Sequence, residues 1–300
     1  MSVKRTIHRG ETSQKLLAGN LPRIRFVRLF SALLAAVCLP AESGENYIPA
    51  LEKIFSIQER VADIHRALAT PYPVAVVADK TFFVYAPVAG EKTFGLAATA
   101  PDPYHTQTGM RAAMPLAFWE NRAACVVTPE IFAEEDGYVF ILHEFVHCYQ
   151  WENGELALKE KLRLFRQAME KQDYMWELQH PFPYDNATVA RTYRDWCRAL
   201  ELGDAKKAEA LRSFLKKGLN SLDWEYMAWE EWKEGLARYL ENRVRERLRL
   251  PLNLPSADAS FDRVSFYRGG DLFIAFLLKR EPALADDLAK LFGRILYSGG

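Results

Sequence analysis

His143, Glu144 and His147 stand in the order HExxH within the run 138–149. On a helix, residues four apart lie one turn above each other on the same face, so His143 and His147 can point two imidazoles at one metal ion. Glu144 projects from the adjoining strip, within reach of a water beside that ion. Two nitrogen ligands, a neighbouring carboxylate and an open coordination position are the parts of a hydrolytic zinc centre. Phe145 and Val146 are uncharged, no proline interrupts the run, and its apolar flanks predict a buried helix. Two histidines and a glutamate buried together without partners would cost several kcal/mol. The pattern therefore favours a metal site over a hydrogen-bonded histidine pair in the core.

A catalytic zinc takes a third protein ligand. Gln150 and Asn153 stand where a metzincin carries its glycine and third histidine, so the ligand comes from farther along the chain. Glu234, in the run Glu234-Gly235-Leu236-Ala237-Arg238-Tyr239, is the leading candidate. Glycine inside a helix costs about 1 kcal/mol relative to alanine and usually has a packing reason. Here Gly235 is expected to let its helix approach the HExxH helix. Glu230, Glu231 and Glu241 share the stretch, and a solvated acidic face is the competing account of the cluster.

HEFVH at 143–147 followed by EGLARY at 234–239 resembles the gluzincin metallopeptidases, in which an EGxAxY-like segment carries the third zinc ligand. Tyr267-Arg268-Gly269-Gly270-Asp271-Leu272-Phe273 is similar to the Tyr-x-x-Gly segment that follows the ligand helix in gluzincin aminopeptidases. The resemblance covers roughly residues 120–295. It implies one Zn2+ per chain held by His143, His147 and Glu234, with Glu144 as general base and the Tyr267 hydroxyl stabilising the transition state. It also implies a peptide or protein substrate. The chain departs from the pattern in three respects. The 86 residues at 148–233 greatly exceed the spacing of the best-known gluzincins and imply inserted helices. Arg238 stands where some members keep an Asp that orients a zinc-bound His, and no GxMEN-like segment lies upstream. Because every essential position is filled, an exported zinc peptidase is preferred to a catalytically inactive zincin-like protein-binding module. A zinc hydrolase of a non-peptide amide or ester is the further alternative.

These residues need elements to position them. Apolar residues at helical spacing predict a first helix over 47–69. Strands are expected at 74–79, 81–86, 92–98 and 123–128, with 101–115 as a loop in which His105 could reach the cleft. The strand at 123–128 is the expected pairing partner for an extended peptide. Beyond Gly154 the pattern turns helical, with helices at 156–171, 186–202, 205–219 (Asp204 as N-cap), 222–248, 266–278 and 283–296. The predicted fold class is α+β: a small mixed β-sheet packed on the HExxH helix in 44–153, then a helical part in 154–300 that carries the third ligand. Trp224, Trp229 and Trp232 are expected to pack the core, and His65, His105 and His180 lack metal-like spacing.

Three hundred residues with 39 basic and 39 acidic side chains leave no surplus of cations for phosphates, which argues against a nucleic-acid partner. Residues 1–43 hold seven basic and two acidic residues, and 29–41 form a short apolar stretch. This reads as a signal peptide with export to the periplasm or the extracellular space, and as membrane association only through an uncleaved leader. Cys38, Cys125, Cys148 and Cys197 form no CxxC pair; an oxidising compartment would allow one disulfide.

Overall fold

The helix that carries the HExxH segment shares its core with a five-stranded mixed sheet. The computed structural model describes residues 46–256 and 259–299; the expected leader and Cys38 lie outside the described residues. Strands β1 (Val74–Ala78), β2 (Thr81–Pro87), β3 (Phe94–Pro101), β4 (Arg111–Leu116) and β5 (Arg122–Val127) assemble in the order β3-β2-β1-β5-β4. β1 and β5 run parallel, and the other pairs are antiparallel. Asp79 and Lys80 both take positive φ and close the two-residue β1–β2 turn. Valines and aromatics alternate across the pleat, so each strand feeds two faces. Val74, Val76, Phe83, Tyr85, Cys125 and Val127 join the main core, whereas Ala75, Val77, Phe82, Val84, Ala124 and Val126 form a second cluster on the opposite face.

The helices are α1 (Ile48–Val61), α2 (Arg66–Ala69), α3 (Glu135–Gln150), α4 (Leu156–Lys159), α5 (Arg163–Glu170), α6 (Trp176–Gln179), α7 (Ala187–Glu201), α8 (Ala205–Gly218), α9 (Ser221–Leu248), α10 (Val264–Arg280) and α11 (Leu288–Leu296). The chain is thus α+β, as expected. α3, with the HExxH segment, starts with Glu135 and Asp136 in its first turn, where carboxylates complement the helix dipole. Its Val139, Leu142, Phe145 and Val146 join the main core, which continues into α9 and α10 through Trp229, Trp232 and Phe266.

Some boundaries differ from the sequence expectation. The helix at 47–69 is broken because His65 is extended and caps α2, its Nδ1 accepting from Ala67 N. The helix at 156–171 divides into α4 and α5 around Leu162, which is extended. The larger correction concerns 101–115. Its last residues are strand β4, at the sheet edge, while β5 is enclosed between β1 and β4. Among the described residues β5 therefore has no free edge for a peptide, whereas β4 has one. Small residues and Pro115 mask β4 in the sequence, because an edge strand tolerates a missing N–H on its outer side.

Candidate metal centre

α3 and α9 lie side by side and antiparallel: Asp136 meets Arg245, His143 meets Glu241, and Gln150 meets the carbonyls of Trp232 and Lys233. Between these contacts Glu234 faces both histidines. Its Oε2 is 3.4 Å from His147 Nε2 and 3.9 Å from His143 Nε2. The three side chains are buried, and their candidate ligand atoms lie within 4.8 Å of one another. Two neutral nitrogens and one carboxylate oxygen, converging from two helices, are a donor set that fits a divalent cation such as zinc.

The outer nitrogens of both rings are engaged. His143 Nδ1 donates to Glu241 Oε2 at 3.0 Å, and His147 Nδ1 donates to Gln150 Oε1 at 2.8 Å. Gln150 Nε2 donates to the main-chain carbonyls of Trp232 and Lys233, which fixes the amide and leaves its oxygen for His147. With Nδ1 held as a donor on each ring, Nε2 is the nitrogen turned toward Glu234, where a bound cation would replace any proton and take its lone pair. This outer support holds the tautomer and orientation that a metal-binding histidine needs. Glu241 is itself saturated: Arg238 and His143 meet Oε2, while Arg245 and Asn253 meet Oε1.

The free oxygen of Glu234, Oε1, takes Arg263 Nη2 at 3.1 Å. Arg263 Nη1 donates to the Tyr267 oxygen at 2.8 Å, so the Tyr267 hydroxyl keeps its own proton to give. Tyr267 lies in α10, and Arg263 is the residue at its N-cap. α10 lies close because Gly235 faces Gly270: a Cβ on Gly235 would sit 2.5 Å from Gly270 Cα. Gly235 therefore does permit a close helix approach, but toward α10 and not toward the HExxH helix, as the sequence had suggested.

Electrostatics match the geometry. Burial disfavours an imidazolium at His143, but Glu234 and Glu241 outweigh it and hold the ring's pKa up at about 10. Burial likewise opposes ionisation of Glu241, yet His143 and Arg238 lower it to about 2. Glu234 stays ionised through His147, His143 and Arg263, despite its burial. Carboxylates thus place a strong demand for positive charge between the two rings, which a bound cation would meet. Burial, then the Glu234 charge, raises the Tyr267 phenol, so it remains a proton donor.

The site opens into a cleft of about 610 Å³ lined by Glu144, Tyr267 and residues of β4. Glu144 lines it beside the histidines, and Ala113 of β4 lies across it. Cys125 N donates to Pro73 O, toward β1, so its neighbours Ala124 and Val126 turn their main-chain groups toward Met114 and Ala112. By alternation, Arg111, Ala113 and Pro115 direct theirs to the free edge. Toward the C-terminal end of α3, Lys159 and Lys233 each pair with both Glu155 and Glu177.

Other residues take structural roles. His65 contacts the Ala285 carbonyl at 2.9 Å, and His180 pairs with Asp223 at 2.8 Å. His105 lines a separate pocket with Asp102 and Glu130 and does not line the cleft. Trp224, Trp229 and Trp232 are buried in the core. Cys125, Cys148 and Cys197 form no disulfide among the described residues. Sequence reasoning missed Glu241, Gln150 and Arg263. The first two follow a ligand at helical spacing, at seven after Glu234 and three after His147, which is the one signal they carry. No protein-family profile, curated protein or solved structure matches this chain.

Proposed function

We propose that the chain is a zinc-dependent peptidase of gluzincin type. The observation that carries this reading is the convergence of His143 Nε2, His147 Nε2 and Glu234 Oε2 in one cleft with Glu144. His143, His147 and Glu234 would hold the ion, which when bound polarises a carbonyl and makes a water acidic near neutral pH. Glu144 accepts the proton from the attacking water and delivers it to the leaving amine. Tyr267 donates its hydroxyl proton in a hydrogen bond to the developing oxyanion, and Arg263 anchors the phenol oxygen at 2.8 Å. Arg263 also occupies Glu234 Oε1, leaving Oε2 for the ion.

The free edge of β4 favours a peptide over a small ester. Ala113 offers an N–H and a carbonyl to an extended chain, and main-chain pairing of this kind supplies affinity without demanding a particular sequence. Export of the chain belongs to the same proposal. The test is hydrolysis of an unbiased peptide library by the full-length, zinc-supplied protein beside Glu144→Gln. Cleavage by the wild type that is lost in Glu144→Gln while zinc is retained supports the reading. Equal turnover of simple esters with no peptide cleavage would favour the non-peptide alternative.

A further inference from the structure

One end of the cleft carries positive charge that hydrolysis itself does not use. Arg238 is only 8% exposed, and two of its nitrogens are held from behind. Nε lies 3.1 Å from Glu241 Oε2 and Nη1 donates to the Asn253 carbonyl at 3.1 Å. Nη2 has no partner among the described residues, and Arg238 lines the cleft. Arg111, at the start of edge strand β4, also lines the cleft and makes no ion pair among the described residues. Its guanidinium rests 4.2 Å from the centre of the Phe140 ring.

A continuous set of contacts ties the two arginines to the same end. Arg245 lies 5.4 Å from the Phe140 ring that Arg111 covers, and it binds Glu241 Oε1 at 2.7 Å, while Arg238 binds Oε2. The close ion pairs at this end tie Arg238 and Arg245 to Glu241 and Arg245 to Asp136, while Glu130 and Asp271 act on Arg111 and Arg238 only without a direct ion pair. At the opposite end two lysines match two glutamates, and the exposed residues are apolar: Tyr174, Met175 and Leu178. Guanidinium nitrogens without a close partner among the described residues thus lie at the Arg111 and Arg238 end. An arginine fixed through its other nitrogens gives directional recognition of a carboxylate at low ordering cost.

We infer that Arg238 and Arg111 form a carboxylate-binding subsite, so that the cleft takes peptides bearing a carboxylate at that end. The carboxylate is either the free C terminus or an acidic side chain. The inference rests on the peptidase reading for the peptide nature of the ligand. A chain paired along β4 past Ala113 would bring that group to Arg111, two residues along the strand.

The test measures binding apart from turnover. Zinc-supplied, full-length Glu144→Gln protein is titrated with fluorescent peptides in matched pairs: free acid against C-terminal amide, and internal Glu against Gln. The expected result is about tenfold tighter binding of one charged member over its neutral match, weakened by salt. The pair that shows it names the source of the carboxylate. Arg111→Ala, at an exposed side chain, should shrink the preference at unchanged zinc content, and Arg238→Gln, which keeps a donor for Glu241, should shrink it when charged and neutral peptides are compared on zinc-saturated protein. Equal binding of charged and neutral peptides, no binding of any, or a preference unchanged in both variants would overturn the subsite. The peptidase reading fails separately, on zinc content and cleavage.

Discussion

Glu241 holds His143 across the gap between two helices, its Oε2 3.0 Å from the ring's Nδ1. The same carboxylate collects Arg238, Arg245 and Asn253. Its position, two turns beyond Glu234 on α9, makes one helix supply both a candidate ligand and the support for another. Glu241→Gln keeps an acceptor for His143 but loses the charge that favours ring orientation and basicity. Metal affinity, read by chelator competition, is expected to fall about 10–100-fold. Glu241→Ala strips a buried partner from two arginines and is expected to destabilise the fold by about 3–5 kcal/mol in a denaturant titration.

The α9–α10 approach has its own test. A methyl on Gly235 would meet Gly270 Cα at 2.5 Å, and one on Gly270 would meet the Glu231 carbonyl oxygen at 2.2 Å. Backbone cannot yield as a flexible side chain does. Gly235→Ala should therefore destabilise by about 1–3 kcal/mol or more despite alanine's better helix propensity. It should also displace Arg263 and Tyr267 from Glu234, lowering peptide turnover more than zinc content. A melting temperature at or above wild type would contradict the packing argument.

These two cases show where the sequence is legible. His143, Glu144 and His147 can be read because their relation is local: helical spacing alone sets them on adjoining strips of one turn. Glu234 could be nominated by its glycine neighbour, yet Glu230, Glu231 and Glu241 looked equally acidic. Their separate roles depend on which helix each faces. Glu231 meets Arg212 and Tyr193 in the core, Glu241 meets His143, and Glu234 faces both rings. Gly235 signalled a close approach without saying to what. The five strands were largely visible from their valines and aromatics, but not β4, whose alanines and Pro115 read as loop, nor the sheet order that frees its edge. Pairing partners distant in sequence are set by the tertiary fold, which local propensity does not encode.

Tyr267 offers a sharper test of mechanism than of stability. Tyr267→Phe keeps the ring beneath Arg238 and Arg263, whose guanidiniums lie 5.5 and 5.3 Å from its centre. It removes the proton donor. Zinc content should be unchanged while kcat falls by about 10²–10³, the cost of losing one oxyanion donor. A kcat within a factor of about two of wild type would remove Tyr267 from the chemistry.

Acid stability should depend on Glu177. Burial alone would raise its pKa, but Lys233 and Lys159 outweigh burial and lower it from 4.5 to about 2. The unfolded chain therefore takes up this proton first. The stabilisation is fully present above pH 4.5 and is lost as pH falls from there through about 2. Its size is on the order of 3 kcal/mol. Glu177→Gln should be less stable than wild type near neutrality, and its melting temperature should fall less steeply between pH 5 and pH 2. Parallel acid limbs for the two proteins would contradict the assignment.

The most direct test of the central claim is metal content of the full-length protein by mass spectrometry, after exposure to zinc and removal of excess, beside Glu144→Gln and Glu234→Gln. The account predicts one zinc per chain in wild type, retained in Glu144→Gln and lost or greatly weakened in Glu234→Gln. Wild-type protein that stays folded yet retains no zinc, or zinc held equally well by Glu234→Gln, would contradict it.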